Sequence, residues 1–324
     1  MKVDKKKWSN PDSKIVSIDP NTSDDIFISC ISYEPRTIAI LEKLDKKYKA
    51  EMGVFIINER FKNYENVKNN LKKCDEIIKR GNNFFSTLKI FSALENPIKI
   101  IIELERIIRE NFAHKDDLSI TIDVSTIPRG ELLTILYYLR NHKNIQIIRV
   151  LYVSPEGYGD WLTEGYIGST IPPFFEGTKC FDKKTALFIL TGFELARPLG
   201  LIEDLEPSLI ILGSPEPGTS DIFLKQSQAI VEKLRNNRKV DVEFVKIPAN
   251  NPINAKKEIL SIVKKHSKEH DMYVSVLGPK IELIGSYLAY EEDPTFRMIY
   301  PIPLLYNVGD YSNGCRDIYE FFLT

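Results

Sequence analysis

Two charged turns carry the residues of this chain best suited to chemistry, and each turn occurs twice. The apolar run in DIFISCISYEPRTIAI gives way to Tyr33, Glu34 and Arg36; far downstream, TALFILTGFELARPLG gives way to Phe193, Glu194 and Arg197. The second kind of turn, in SITIDVSTIPRGELL, holds Asp123, Ser125, Thr126 and Arg129. Its counterpart in MYVSVLGPKIELI offers Gly278 and Lys280. Arginine grips phosphate through paired hydrogen bonds, and small or hydroxyl residues let backbone N–H groups approach an anion. On that chemistry Arg36, Arg129, Arg197 and Lys280 meet phosphate, while Ser125 and Thr126 donate to its oxygens. Tyr33 and Phe193 stack on a base. Glu34, Asp123 and Glu194 meet ribose or base donors, or orient the arginines. Glu34 and Asp123 are also the candidate catalytic pair, acting as acid and base on a glycosidic or phosphodiester bond. A purely structural role stays open beside these. Asp or Ser after a strand caps the next helix, and Arg36 and Arg129 have Glu34 and Glu131 as ready partners.

Positioning these turns requires alternating strands and helices, the pattern of an α/β protein with mainly parallel sheets covered on both faces. The strands IFISCIS, EMGVFIIN, SITIDVS and IQIIRVLYVS alternate with helical patterns such as RTIAILEKLDKKY and GELLTILYYLRNH. TALFILTG, SLIILGS, VDVEFVKIP, MYVSVLG and FRMIYPIPLLYN repeat that order. Four features recur in sequence: the Glu–Arg turn, an Asn-Pro-Ile helix start at residues 96–98 and 251–253, a Pro-(Arg/Lys) turn, and Arg-x-x-Tyr in the final strand. We read them as an internal duplication giving two tandem Rossmann-like domains. The expected partition is an N-terminal extension over 1–24, a first domain over 25–155, a Gly/Pro-rich connector over 156–184, and a second domain over 185–324. In an open parallel sheet a ligand binds beyond the strand carboxyl ends where strand order reverses, so both kinds of turn belong at that edge. GDYSNGCRDIY sets Tyr311 and Ser312 just past the last strand, and GYGDWLTEGY holds the related place after the first unit. Both segments are expected to fold over the binding edge. Gly213, Ser214, Gly218, Thr219 and Ser220 in LGSPEPGTSD form either an anion nest or a plain turn, without the Gly-Lys-(Ser/Thr) ending of a P-loop.

Composition narrows the function classes. With 44 Lys+Arg against 45 Asp+Glu the net charge is −1, which gives no field to attract nucleic acid or an anionic membrane. The four cysteines are dispersed, with no CxxC pair, pointing to a reducing, cytoplasmic setting and to neither a disulfide scaffold nor a zinc site. His266 and His270 lie four apart but lack the glutamate of HExxH, so no metal is expected, and no cofactor. No apolar run reaches the ~18 residues of a membrane span.

Asp123-Val-Ser125-Thr-Ile-Pro-Arg129 resembles the strand-end motif of CARF domains, the CRISPR-associated Rossmann-fold sensors of cyclic oligonucleotides. Ser32-Tyr33-Glu34 looks like the other half of their pocket, and two such units in one chain are similar to the SAVED arrangement. The resemblance covers residues 25–155 and 185–307. It implies a nucleotide or other phosphorylated messenger as ligand, a role in antiviral defence, a protein effector as partner, and a ligand touching both domains. A homo-oligomer is left open. In the second copy Val274 and Val276 take the places of Asp123 and Ser125, so the first unit is expected to carry more of the recognition. A nucleotide-processing enzyme and a structural subunit are the competing classes.

Overall fold

The computed structural model describes residues 14–15, 23–44, 48–92, 96–178, 180, 182–216, 221–236 and 240–323. The chain forms two compact units, one of residues 1–160 with 308–324, the other of residues 161–307. The expected partition at residues 156–184 and 185–324 differs from this. Residues 161–184 belong to the second unit, and the chain's last strand returns to the first.

In the first unit, strands β1 (Ser23–Ile31), β2 (Lys49–Asn58), β3 (Phe84–Ser92), β4 (Leu118–Asp123) and β5 (Ile145–Val153) are all parallel to their neighbours. They lie in the order β5-β4-β1-β2-β3. In the second unit β6 (Lys184–Leu190), β7 (Leu209–Pro215), β8 (Asp241–Ile247), β9 (His270–Val276) and β10 (Arg297–Met298) lie in the order β8-β7-β6-β9-β10, again parallel. Counted within each unit, both orders are 3-2-1-4-5, the doubly wound arrangement, so the duplication read from the sequence is also a duplication of topology. The last strand, β11 (Ile318–Leu323), adds antiparallel to β5, and Lys14–Ile15 pairs with it in turn.

Helices cross between strands: α1 (Ala39–Lys43, preceded by a 3-10 turn at Pro35–Ile38), α2 (Glu65–Gly81), α3 (Ile98–Asn111) and α4 (Arg129–Asn141) in the first unit. The second has α5 (Ala196–Leu205), α6 (Asp221–Asn236), α7 (Pro252–His266) and α8 (Lys280–Glu292). The repeated Asn-Pro-Ile starts α3 and α7. The Asn251 carboxamide accepts from the N–H groups of Ile253 and Asn254, at 2.8 and 3.2 Å, satisfying two of the donors a helix start leaves open. Because helices cover both faces, central strands are continuously apolar: Ile26, Phe27 and Ile28 of β1, like Leu187, Phe188 and Ile189 of β6, are fully buried.

The strand β3 has no counterpart in the sequence reading, which passed from α2 to α3. It is the sheet edge, with Phe85, Ser86, Thr87, Lys89 and Phe91 exposed, so it lacks the apolar run of a central strand.

The repeated Arg-x-x-Tyr is structural. Arg149, 2% exposed, pairs with Asp24 at 2.8 Å, donates to Thr121 Oγ1 at 2.8 Å and reaches Glu320 of β11. Its guanidinium lies over the Tyr48 ring. In the second unit Arg297 pairs with Asp271 and lies over Tyr273. Truncating one partner of a buried pair strands the other charge. Arg149→Ala is therefore expected to lower the unfolding free energy by about 3–5 kcal/mol in urea titration; a loss under ~1 kcal/mol would contradict a network that holds β1, β4, β5 and β11 together.

Candidate functional site

Strand order reverses between β1 and β4 in the first unit, and between β6 and β9 in the second. At these points successive crossovers leave in opposite directions and open a crevice beyond the strand ends. All the predicted turns fall there, since Glu34 follows β1, Asp123 ends β4, Glu194 follows β6 and Gly278 follows β9.

In the first unit Glu34, Arg36, Asp123, Ser125 and Thr126 are engaged with one another or with neighbouring side chains and backbone. Arg36, 4% exposed, donates from Nε and Nη2 to Glu34 Oε2 and from Nη1 to the Val153 carbonyl at 2.8 Å. Burial works against its charge, yet the Glu34 carboxylate, with Tyr152 and Tyr158, offsets this and holds the guanidinium above its ordinary value. The same Glu34 oxygen accepts from Ser312 Oγ at 2.7 Å. Asp123, 1% exposed, accepts from Ser29 Oγ, from the Ser125 N–H and from Ser125 Oγ. Desolvation raises its pKa, and the Ser125 bonds oppose that shift without cancelling it. Ser125 Oγ also accepts from the Val153 N–H, and Thr126 Oγ1 donates to the Cys30 carbonyl. Both candidate catalytic carboxylates, Glu34 and Asp123, are thus enclosed among internal donors.

Tyr311 and Ser312 lie against this edge. Ser312–Asn313 pairs antiparallel with Gly157–Tyr158, and the Tyr311 ring meets the edge of Tyr33, itself against Phe61. Tyr33 is buried as part of an aromatic cluster.

In the second unit Glu194 and Arg197, 8% and 2% exposed, form the corresponding ion pair. Here the satisfaction is incomplete: among the described residues Glu194 Oε1, Arg197 Nε and Ser275 Oγ are buried with no hydrogen-bond partner, as is Ser214 Oγ at the end of β7. The other turn approaches the first closely. A Cβ at Gly192 would stand 2.4 Å from the Leu277 carbonyl oxygen, and one at Gly278 would stand 1.9 Å from Glu282 Oε2, so no other residue fits either place without displacing its neighbour. Phe193 is half-buried against the apolar core of this unit. The proposed nest beyond Ser214 falls on residues 217–220, outside the described residues.

Sheet register corrects one correspondence. Arg149 stands opposite Thr121, and Arg297 opposite Tyr273, so two residues further on Asp123 is matched by Ser275 and not by Val274. The second copy therefore keeps a hydroxyl where the first has an acid. The linear alignment slipped because Ser275 stands five positions before the start of α8, whereas Asp123 stands six before the start of α4.

Sequence reasoning offered Glu131 as a partner for Arg129 but missed its counterpart in the second copy, Glu282. Arg129 and Lys280 open α4 and α8, both half-buried, and each follows a proline. Two residues on, Glu131 and Glu282 are 1% and 0% exposed; Glu131 Oε1 accepts from Ser92 Oγ at 3.1 Å. The signal was present as Pro-(Arg/Lys)-x-Glu in both copies. An acid in the first helical turn is favoured by the helix dipole.

Among the described residues no group of three or more His, Cys, Asp or Glu side chains could hold a metal, and no helix is long and apolar enough to cross a membrane. No protein-family model matches the chain, and no curated protein matches it. Among solved structures the fold is similar to that of a type III CRISPR defence DNA nuclease activated by cyclic oligoadenylate. That match has a TM-score of 0.55 at 9% identity, over 91% of this chain and 68% of the other. At such identity the likeness is one of fold. The cytoplasmic domain of a prokaryotic cation chloride cotransporter aligns over 87% of this chain and 96% of its own, at 10% identity, but its TM-score of 0.27 carries no argument. The protein is thus a pair of Rossmann-like α/β units.

The raised pKa of Asp123 has a definite sign. The folded chain holds this proton more tightly than the unfolded chain, so stability is lost as pH rises from the ordinary carboxylate value through the raised one. Asp123→Asn has no such proton to lose. Its unfolding free energy relative to the wild type is expected to move in the variant's favour across that window in denaturant titrations. A difference independent of pH would refute the assignment.

Proposed function

We propose that this protein binds a nucleotide messenger of the cyclic oligonucleotide class at the strand-end crevices of its Rossmann-like units, and relays that binding to a protein effector in antiviral defence. The observation that carries this reading is the set of unpaired buried atoms in the second unit. Burying a hydroxyl or a charge-bearing group without a partner costs about 1–3 kcal/mol, a cost native proteins rarely leave standing. Glu194 Oε1, Arg197 Nε and Ser275 Oγ offer an acceptor, a charged donor and a hydroxyl at the place where doubly wound sheets take their ligands. That mixture suits a ribose phosphate: the guanidinium for phosphate, the carboxylate for a ribose hydroxyl or base N–H. Lys280, half-buried at the start of α8, adds a second positive charge.

The proposal shifts the weight of recognition to the second unit. In the first, Glu34, Arg36, Asp123, Ser125 and Thr126 have internal partners, and Arg129, half-buried, opens α4 at that crevice. The similarity of fold to a defence nuclease activated by cyclic oligoadenylate supports the messenger class. Internal hydrogen bonding of Glu34 and Asp123 favours a sensor over an enzyme built on that pair.

Ser275→Ala separates the two demands on the site. Removing an unpaired buried hydroxyl is expected to raise the unfolding free energy of the free protein by about 1–3 kcal/mol. The same change is expected to reduce the thermal shift produced by cyclic oligoadenylates in a panel of linear and cyclic nucleotides. No shift from any nucleotide with the wild type would remove the proposal. Conversion of the recovered ligand, read by chromatography, would turn the sensor into an enzyme.

A further inference from the structure

The edge strand β3 points to a second activity of this chain, association with another copy of itself. It ends the sheet order of the first unit; among the described residues no strand pairs with its outer side. Natural edge strands are usually protected by charge, proline or a covering element. This one carries Phe85 at 81% exposed and Phe91 at 41%, with Lys89 its one charged residue. Beside its start lies a depression of about 350 Å³ lined by Glu51, Met52, Phe85, Ser86, Asn111 and Phe112.

We propose that two copies join antiparallel along β3 about a two-fold axis at Leu88, continuing one sheet into the other. The strand selects that register. In a two-fold antiparallel pair, facing residues must direct their backbone groups to the same side, so the axis passes through a residue and not between two. An axis at Lys89 sets two ammonium groups against each other, which is destabilising. One at Thr87 faces Phe85 with Lys89 and leaves Phe91 beyond the strand. The axis at Leu88 uses the whole strand, places Phe85 of each copy opposite Phe91 of the other, and faces Lys89 with Thr87. Phe91 of the second copy then arrives next to the depression that Phe85 lines. At roughly 200 Å² for a Phe side chain, the two rings offer about 240 Å² of exposed aromatic surface per copy. That is well below the ~800 Å² per partner of a standard interface, so the association is concentration-dependent and not obligate.

Sedimentation velocity of the full chain over micromolar concentrations tests this. The wild type is expected to move from the mass of one chain towards two as concentration rises. Phe85→Lys and Phe91→Glu, both at exposed positions and each checked for an unchanged thermal midpoint, are expected to remain monomeric throughout. The double variant restores a facing Lys–Glu pair in each half of the interface and is expected to recover dimerisation. A wild type monomeric at every concentration overturns the proposal, as does a dimer that survives either single change. Failure of the double variant to recover association overturns the register.

Discussion

The carboxyl ends of the first and fourth strands of each unit carry a constraint on which much else depends. Helices leave in opposite directions there, so neither closes over the gap, and polar groups set into it must be satisfied from elsewhere. Both units place a buried glutamate–arginine pair at that point, the one following β1 and the other β6. A desolvated pair is tolerable only when its remaining donors and acceptors are also met. How each unit meets them distinguishes two otherwise equivalent topologies.

The first unit meets them internally. Arg36 reaches the Val153 carbonyl, Ser312 returns from the far end of the chain to donate to Glu34, and Tyr311 closes against Tyr33. That closure explains why β11 belongs with the first unit: the returning segment supplies both a strand for the sheet and a hydroxyl for the ion pair. The second unit has the shorter loop before its last helix, a serine in place of the aspartate, and glycines that draw the two turns together. It leaves polar atoms buried and unpaired.

Much of the fold was legible because central parallel strands and their crossover helices write continuous apolar runs and helical periodicity into the sequence. The repeated Asn-Pro-Ile and Glu–Arg features marked the same turns in both copies. β3 was not legible, since an edge strand half open to water needs no apolar run. Arg149 and Arg297 could be seen to repeat, but their partners Asp24 and Asp271 lie on different strands of the two units. Spacing along the chain cannot carry that pairing. Ser275 was hidden for a related reason, because a spacing to the next helix that is one residue shorter breaks a linear correspondence that sheet register preserves.

The sequence by itself determined the α/β class, the duplication and the placing of Glu34, Arg36, Asp123, Glu194 and Arg197 at strand ends, because these follow from local periodicity and turn chemistry. Tertiary structure alone decided which of those groups are already engaged. Engagement depends on contacts between residues as distant in sequence as Glu34 and Ser312, and on a strand register that no local pattern records.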